Sequence, residues 1–139
     1  MRAIDKEAVR WFDQAMDDYR FVEWVKQENR FFDKGCFIAQ QSGEKALKAC
    51  LYASGERRVI GHSLFEMVSR LIKITDEFES IEEPCKRLDR FYIPTRYPNG
   101  LPGGSPYQVY STTELHTALV DLKVVIQAAE KFLKTKYTK

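Results

Sequence analysis

Tyr92-Ile93-Pro94-Thr95-Arg96-Tyr97-Pro98 heads the longest stretch of this chain that cannot be helix, and it divides an otherwise helical pattern in two. From Tyr92 to Val109 the chain carries four of its five prolines and three of its seven glycines. Proline removes a helix donor and clashes with the preceding turn, so no regular helix crosses this span. Arg96 is its one formally charged residue, in a protein that is 30% charged. Solvated loops carry Asp, Lys and Glu; this one carries Tyr, Pro, Ile, Leu and Val around a single guanidinium. A long structureless loop inside a compact domain is uncommon and is often functional. The expectation is a packed flap that holds Arg96 and its tyrosines over a helical body.

On the N-terminal side, Ala8, Phe12, Ala15, Met16, Tyr19 and Val22 recur at three- and four-residue steps, with Asp13, Asp17 and Asp18 opposite. That is an amphipathic helix from Asp5 to about Glu28. Asn29 to Asp33 form a turn, with Asp33 expected as N-cap of the next helix. This second helix, Lys34 to Ala53, has a face of small residues (Ala39, Gly43, Ala46, Cys50) and a polar stripe. The stripe reads Phe37, Gln41, Lys45 and Lys48, with Gln40 and Glu44 beside it. As a solvated surface it offers one Glu44–Lys48 pair, worth about 0.2–0.5 kcal/mol. Ser63 with Glu66 is a capping box that opens a third helix, which runs to about Thr75. His62 then stands just outside that first turn, where unpaired amides collect. Ser80 to Glu83 reads as another cap, followed by a short helix through Cys85, Leu88, Phe91 and Tyr92. Beyond the flap, Ser111 and Glu114 cap a last helix carrying Leu115, Leu119, Leu122, Ile126, Ala129 and Leu133. No strand pattern or internal repeat occurs. The fold expected is all-α, an up-and-down bundle of about five helices in one domain over residues 1–139.

The composition excludes several classes. At 139 residues the chain suits one core. A net charge of +2 argues against a dedicated nucleic-acid grip, which needs a strong basic excess, while leaving room for a local anion site. Cys36, Cys50 and Cys85 show no paired spacing and read as buried apolar residues in a reducing compartment. No metal site or cofactor is expected. No leader pattern and no bilayer-length apolar run is present, so the expected location is cytoplasmic.

Arg96 admits two readings from the residues alone. It forms a structural pair with Asp89, Asp121 or Glu44, or it presents a fork to a phosphate with tyrosines beside it. Either way a desolvated guanidinium requires partners.

Phe37…Gln40-Gln41…Glu44-Lys45…Lys48, then His62-Ser63-Leu64, then Tyr92…Thr95-Arg96-Tyr97-Pro98 together resemble the HEPN domain family, in order and over nearly the whole chain. The resemblance implies a small helical bundle, often dimeric, encoded beside a minimal nucleotidyltransferase in a two-part toxin–antitoxin-like module. It also implies a nucleotide or phosphate ligand at Gln41, Lys45, Lys48, His62, Tyr92, Arg96 and Tyr97, with Lys45, His62 and Arg96 converging on one anion. Some branches of the family are metal-independent ribonucleases with an Arg and a His four to six residues apart. Arg57 and His62 match that spacing, but Gly61 and the capping box put them across a link rather than along one helix. In that alternative His62 is the general acid–base, and Arg57 or Arg96 stabilises the phosphorane. The remaining alternative is a structural helical adaptor in which Arg96 only ties down the flap.

Overall fold

The computed structural model describes residues 3–137, with no strand among them. Its helices are α1 (Ala3–Glu28), α2 (Phe32–Ala53), α3 (Leu64–Ile72), α4 (Glu82–Asp89), α5 (Pro106–Val109) and α6 (Thr112–Tyr137). Short 3-10 turns at Asp76–Ile81 and Pro98–Gly100 complete the path. The helical bundle is the one the periodicity requires, with a single-turn helix, α5, folded into the flap.

α2 is the central element, packed against α1, α6, α3 and α4. Its glycines make the close approaches. A Cβ on Gly43 would lie 2.6 Å from Leu64 Cδ2. One on Gly35 would lie 2.7 Å from Leu115 Cδ1 and 2.9 Å from Val25 Cγ1. Ala39, Ala46, Leu47 and Cys50 are fully buried along the same helix, joined by Leu64, Leu71, Phe78, Leu88, Leu115 and Leu122 from its neighbours. α4 is fastened to α6 by a two-pronged pair, Arg87 Nε and Nη2 each 2.9 Å from a carboxylate oxygen of Asp121.

Three local expectations are corrected. α2 begins two residues earlier than Asp33 as N-cap would set it. Its N-cap is Phe31, in the left-handed region at φ 59°, and Asp33 lies buried in the first turn. The reversal after α1 passes through two left-handed residues, Asn29 and Phe31, leaving no extended position for a capping carboxylate. Ser80 caps nothing: Thr75 caps the 3-10 turn by accepting from the amide of Glu77, and α4 follows from Ile81. α4 also ends at Asp89, so Phe91 and Tyr92 already belong to the flap. Ser63 accepts from the amide of Glu66, and Glu114 accepts from the amide of Ser111, as the capping patterns require. Among the described residues no helix is long and apolar enough to cross a membrane.

Candidate functional site

The site lies where the middle of α2, the start of α3 and the first residues of the flap meet. One carboxylate fixes the last two. Asp89, the final residue of α4, accepts from Ser63 Oγ at 2.8 Å, the Leu64 amide at 2.8 Å and the Phe65 amide at 3.0 Å. A negative group therefore sits on the positive end of α3 and satisfies two of its otherwise unpaired donors. His62 precedes that cap and Tyr92 follows Asp89 by one turn, so both rings are set by the same junction.

His62 is held at three points. Gln40, fully buried on α2, donates to its backbone carbonyl at 2.7 Å. Its Nδ1 lies 3.2 Å from Glu44 Oε1, and its ring stacks on Tyr92 with centroids 5.0 Å apart and planes 19° apart. The imidazole is nonetheless 59% exposed, so its outer edge faces solvent. It opens on a cleft of about 300 Å³ shared with Ser63, Glu66, Asp89 and Tyr92.

Glu44 is the hub behind the histidine. Its carboxylate also pairs with Lys48 Nζ at 3.0 Å and accepts from Gln41 Nε2 at 3.4 Å. Both Glu44 and Lys48 are buried, with side chains 4% and 7% exposed, and the Lys48 ammonium lies 5.0 Å from the centroid of Trp11 on α1. The stripe of α2 that reads as solvated is thus an internal polar network, because α1 and the His62 link cover it. Sequence reasoning placed Glu44 beside the stripe without linking it to His62; the i,i+4 spacing to Lys48 was the available signal.

Arg96 corrects a second expectation. It is exposed, and none of Asp89, Asp121 or Glu44 pairs with it. Its Nε donates to the Tyr92 carbonyl at 2.8 Å, and its guanidinium carbon lies 4.5 Å from the ring centroid of Phe37, 4.6 Å from Tyr92 and 5.2 Å from Tyr97. Three aromatic rings take the place of a carboxylate, each worth about 0.5–1 kcal/mol at an exposed position. Among the described residues no oxygen accepts from Nη1 or Nη2, so the terminal edge of the fork is open to solvent. Arg96 lines a second cleft of about 350 Å³ with Asp33, Lys34, Thr95, Pro98, Pro106 and Tyr107.

His62, Tyr92, Arg96 and Tyr97 are therefore neighbours, with Gln41 reaching them through Glu44. Lys45 is not part of the group. Its ammonium crosses to α1 and pairs with Asp18 at 2.6 Å, so Lys45, His62 and Arg96 do not converge. Lys48 faces inward. Arg57 is exposed on the α2–α3 link and pairs with no described carboxylate, whereas Arg96 shares the Tyr92 ring with His62. Among the described residues no group of three His, Cys, Asp or Glu side chains could hold a metal ion.

An α2-centred bundle with an arginine-bearing flap set against a histidine at a helix start defines a class of small helical domains. The family model for the HEPN domain matches residues 8–137, and the chain belongs to that family. It is similar to the crystal structure of TT1696 from Thermus thermophilus, with 32% identity and a TM-score of 0.84 over 91% of this chain and 98% of that one. It is also similar to ST0689, described as an archaeal HEPN homologue, with 25% identity and a TM-score of 0.75 over 92% of this chain and 98% of that one. Comparison with curated proteins gave no match.

Proposed function

We propose that this protein is a binding and assembly module whose flap arginine receives the phosphate of a nucleotide, and that it works as a homodimer beside a minimal nucleotidyltransferase in a toxin–antitoxin-like pair. The observation that carries the ligand reading is the open edge of Arg96. Aromatic rings hold the guanidinium in place while its two terminal nitrogens keep their donors, which is the arrangement a planar fork needs to meet an oxyanion. His62 and Tyr97 add a donor edge and an exposed ring beside it. A guanidinium serving only to fasten the flap would use those donors on the protein. Nucleotide binding stabilises the folded state by linkage, about 2.7 kcal/mol at a ligand concentration 100 times Kd. ATP, GTP or AMP should raise the melting temperature, and Arg96→Ala should remove the gain, measured against that variant's own ligand-free value, which the loss of three ring contacts lowers. No shift with any nucleotide at millimolar concentration leaves the adaptor role in its place. Light scattering tests the dimer, and co-purification with a co-expressed minimal nucleotidyltransferase tests the partner.

A second reading, metal-independent RNA cleavage, is supported by the Glu44–His62 contact. A buried carboxylate on Nδ1 orients the imidazole and leaves Nε2 at the surface, as acid–base chemistry requires. In that reaction Nε2 takes the proton of the ribose 2′-hydroxyl, the 2′-oxygen attacks phosphorus, the bond from phosphorus to the 5′-oxygen breaks, and the 5′-oxygen leaves with the proton that the His62 imidazolium returns. Arg96, which shares the Tyr92 ring with His62, or Arg57 would carry the phosphorane charge. Cleavage of single-stranded RNA in EDTA that is lost in His62→Ala supports this reading; intact RNA refutes it.

A further inference from the structure

Arg96 borders the flap cleft rather than the His62 cleft, and the charges around the two differ in sign. The His62 cleft carries two carboxylates, Glu66 and Asp89, with one imidazole. The flap cleft carries two cations, Lys34 and Arg96, with one carboxylate, Asp33. A phosphate placed in the His62 cleft would share it with the carboxylates of Glu66 and Asp89, and like charges repel. The other cations near the site are engaged elsewhere: Lys45 by Asp18 and Lys48 by Glu44. Lys34 lies beside Arg96 in the flap cleft, and although it pairs with Asp33 it is far more exposed than Lys45 or Lys48. Its side chain is 59% exposed and touches Asp33 Oδ2 at 3.1 Å, so its remaining donors are directed outward. Across the same cleft Tyr107 is 71% exposed, so most of its ring is accessible to a ligand. The walls, Pro98 and Pro106, have fixed φ and offer no N–H, so polar recognition here falls to the two cations.

We propose that the cleft between the first turn of α2 and the flap is the phosphate subsite, with Lys34 and Arg96 clamping the phosphate of a nucleoside monophosphate and Tyr107 stacking its base. This rests on the nucleotide reading above and assigns its polarity: phosphate on the flap side, away from His62. A cleft of about 350 Å³ suits a ligand of this size, since small-molecule sites begin at about 300 Å³. Base stacking on an aromatic ring is tolerant of base identity, so purine and pyrimidine nucleotides should bind with similar strength.

The test is calorimetric titration of the full chain with AMP, adenosine and inorganic phosphate at constant ionic strength, in the wild type and in Lys34→Ala, Tyr107→Ala, Lys45→Ala and Arg96→Ala. Lys34→Ala should weaken AMP about tenfold or more and leave adenosine unchanged, because a charge-assisted contact is lost. Tyr107→Ala should weaken AMP and adenosine by the same factor, about fivefold or more. Unchanged circular dichroism is expected for both free variants and an unchanged melting temperature for Tyr107→Ala; Lys34→Ala leaves buried Asp33 without its ion pair and melts lower, so its titration is run well below that transition, with unchanged adenosine binding as the control for folding. If Lys34→Ala and Tyr107→Ala bind AMP like the wild type while Arg96→Ala does not, the subsite is wrong and the nucleotide reading stands. Loss of AMP binding in Lys45→Ala with Lys34→Ala unaffected has the same meaning. If the wild type binds none of the three probes, both readings fall.

Discussion

Replacing Glu44 by Gln separates two descriptions of the α2 polar stripe by an order of magnitude. On a solvated helix face, loss of an i,i+4 pair costs about 0.3–0.5 kcal/mol. In the structure the pair is buried, and glutamine keeps the shape while stranding the Lys48 ammonium beneath α1 with only Trp11 facing its charge. Removing one partner of a buried pair costs about 3–5 kcal/mol. For a chain of 139 residues that is a large part of a total stability of roughly 7–20 kcal/mol. It corresponds to a fall in melting temperature of roughly 10–15 °C. Urea unfolding followed by circular dichroism, extrapolated linearly, measures the difference. The double variant Glu44→Gln/Lys48→Met removes the stranded charge as well and should recover more than half of the loss, with a coupling energy of about 2 kcal/mol or more. If Glu44→Gln costs less than about 1 kcal/mol and the two substitutions add, the network is not internal in the sense described, and the orientation of His62 loses its support.

Arg87→Ala should destabilise by about 2 kcal/mol, below the full cost of a broken buried pair because Arg87 is half-exposed while Asp121 is buried. Arg87→Lys should recover little of this, since one ammonium cannot make both parallel bonds, and the same urea assay reads it. Gly35→Ala gains about 1 kcal/mol of helix propensity but forces a methyl against Leu115 and Val25, and overpacking costs about 1–3 kcal/mol, so a net loss in melting temperature is expected. Burial raises the Cys36 thiol to about 12, and burial likewise pushes Cys50 and Cys85 far upward. The unfolded thiols ionise near 9 and the folded ones do not, so this contribution to stability is complete below pH 9 and is lost as pH rises toward 12. At pH 10 the loss is on the order of 1 kcal/mol for each thiol. Urea midpoints at pH 8 and pH 10 should differ, and the difference should shrink in Cys36→Ala.

The helices were legible because their apolar spacing is regular and three of their starts carry caps or prolines that act locally. The flap was legible for the same reason, as a run that no helix tolerates. Asp33 misled because capping propensity says nothing about a preceding turn through two left-handed residues. Arg96 stood out in the sequence as the one charge of the flap, but its surroundings were misjudged. An uncharged loop suggests burial, whereas the aromatic residues of that loop and Phe37 on α2 stack on the guanidinium at the surface. The polar stripe of α2 was the least readable part. Lys45 and Lys48 are three residues apart, and only the placement of α1 sends one to Asp18 and the other beneath Trp11. Lys34 and Tyr107 gave no local signal, being ordinary residues that a cleft joins across 73 positions of chain.

The carboxylate of Asp89 makes the two sides of the site mechanically inseparable. It ends α4, from which the flap hangs, and it grips the first amides of α3, from which His62 is suspended. A protein that seizes the flap therefore pulls on the imidazole by two short routes, the Asp89 carboxylate and the Tyr92 ring on which His62 stacks. Asp89→Asn would weaken the first of these routes and leave the second, the His62–Tyr92 stack, in place.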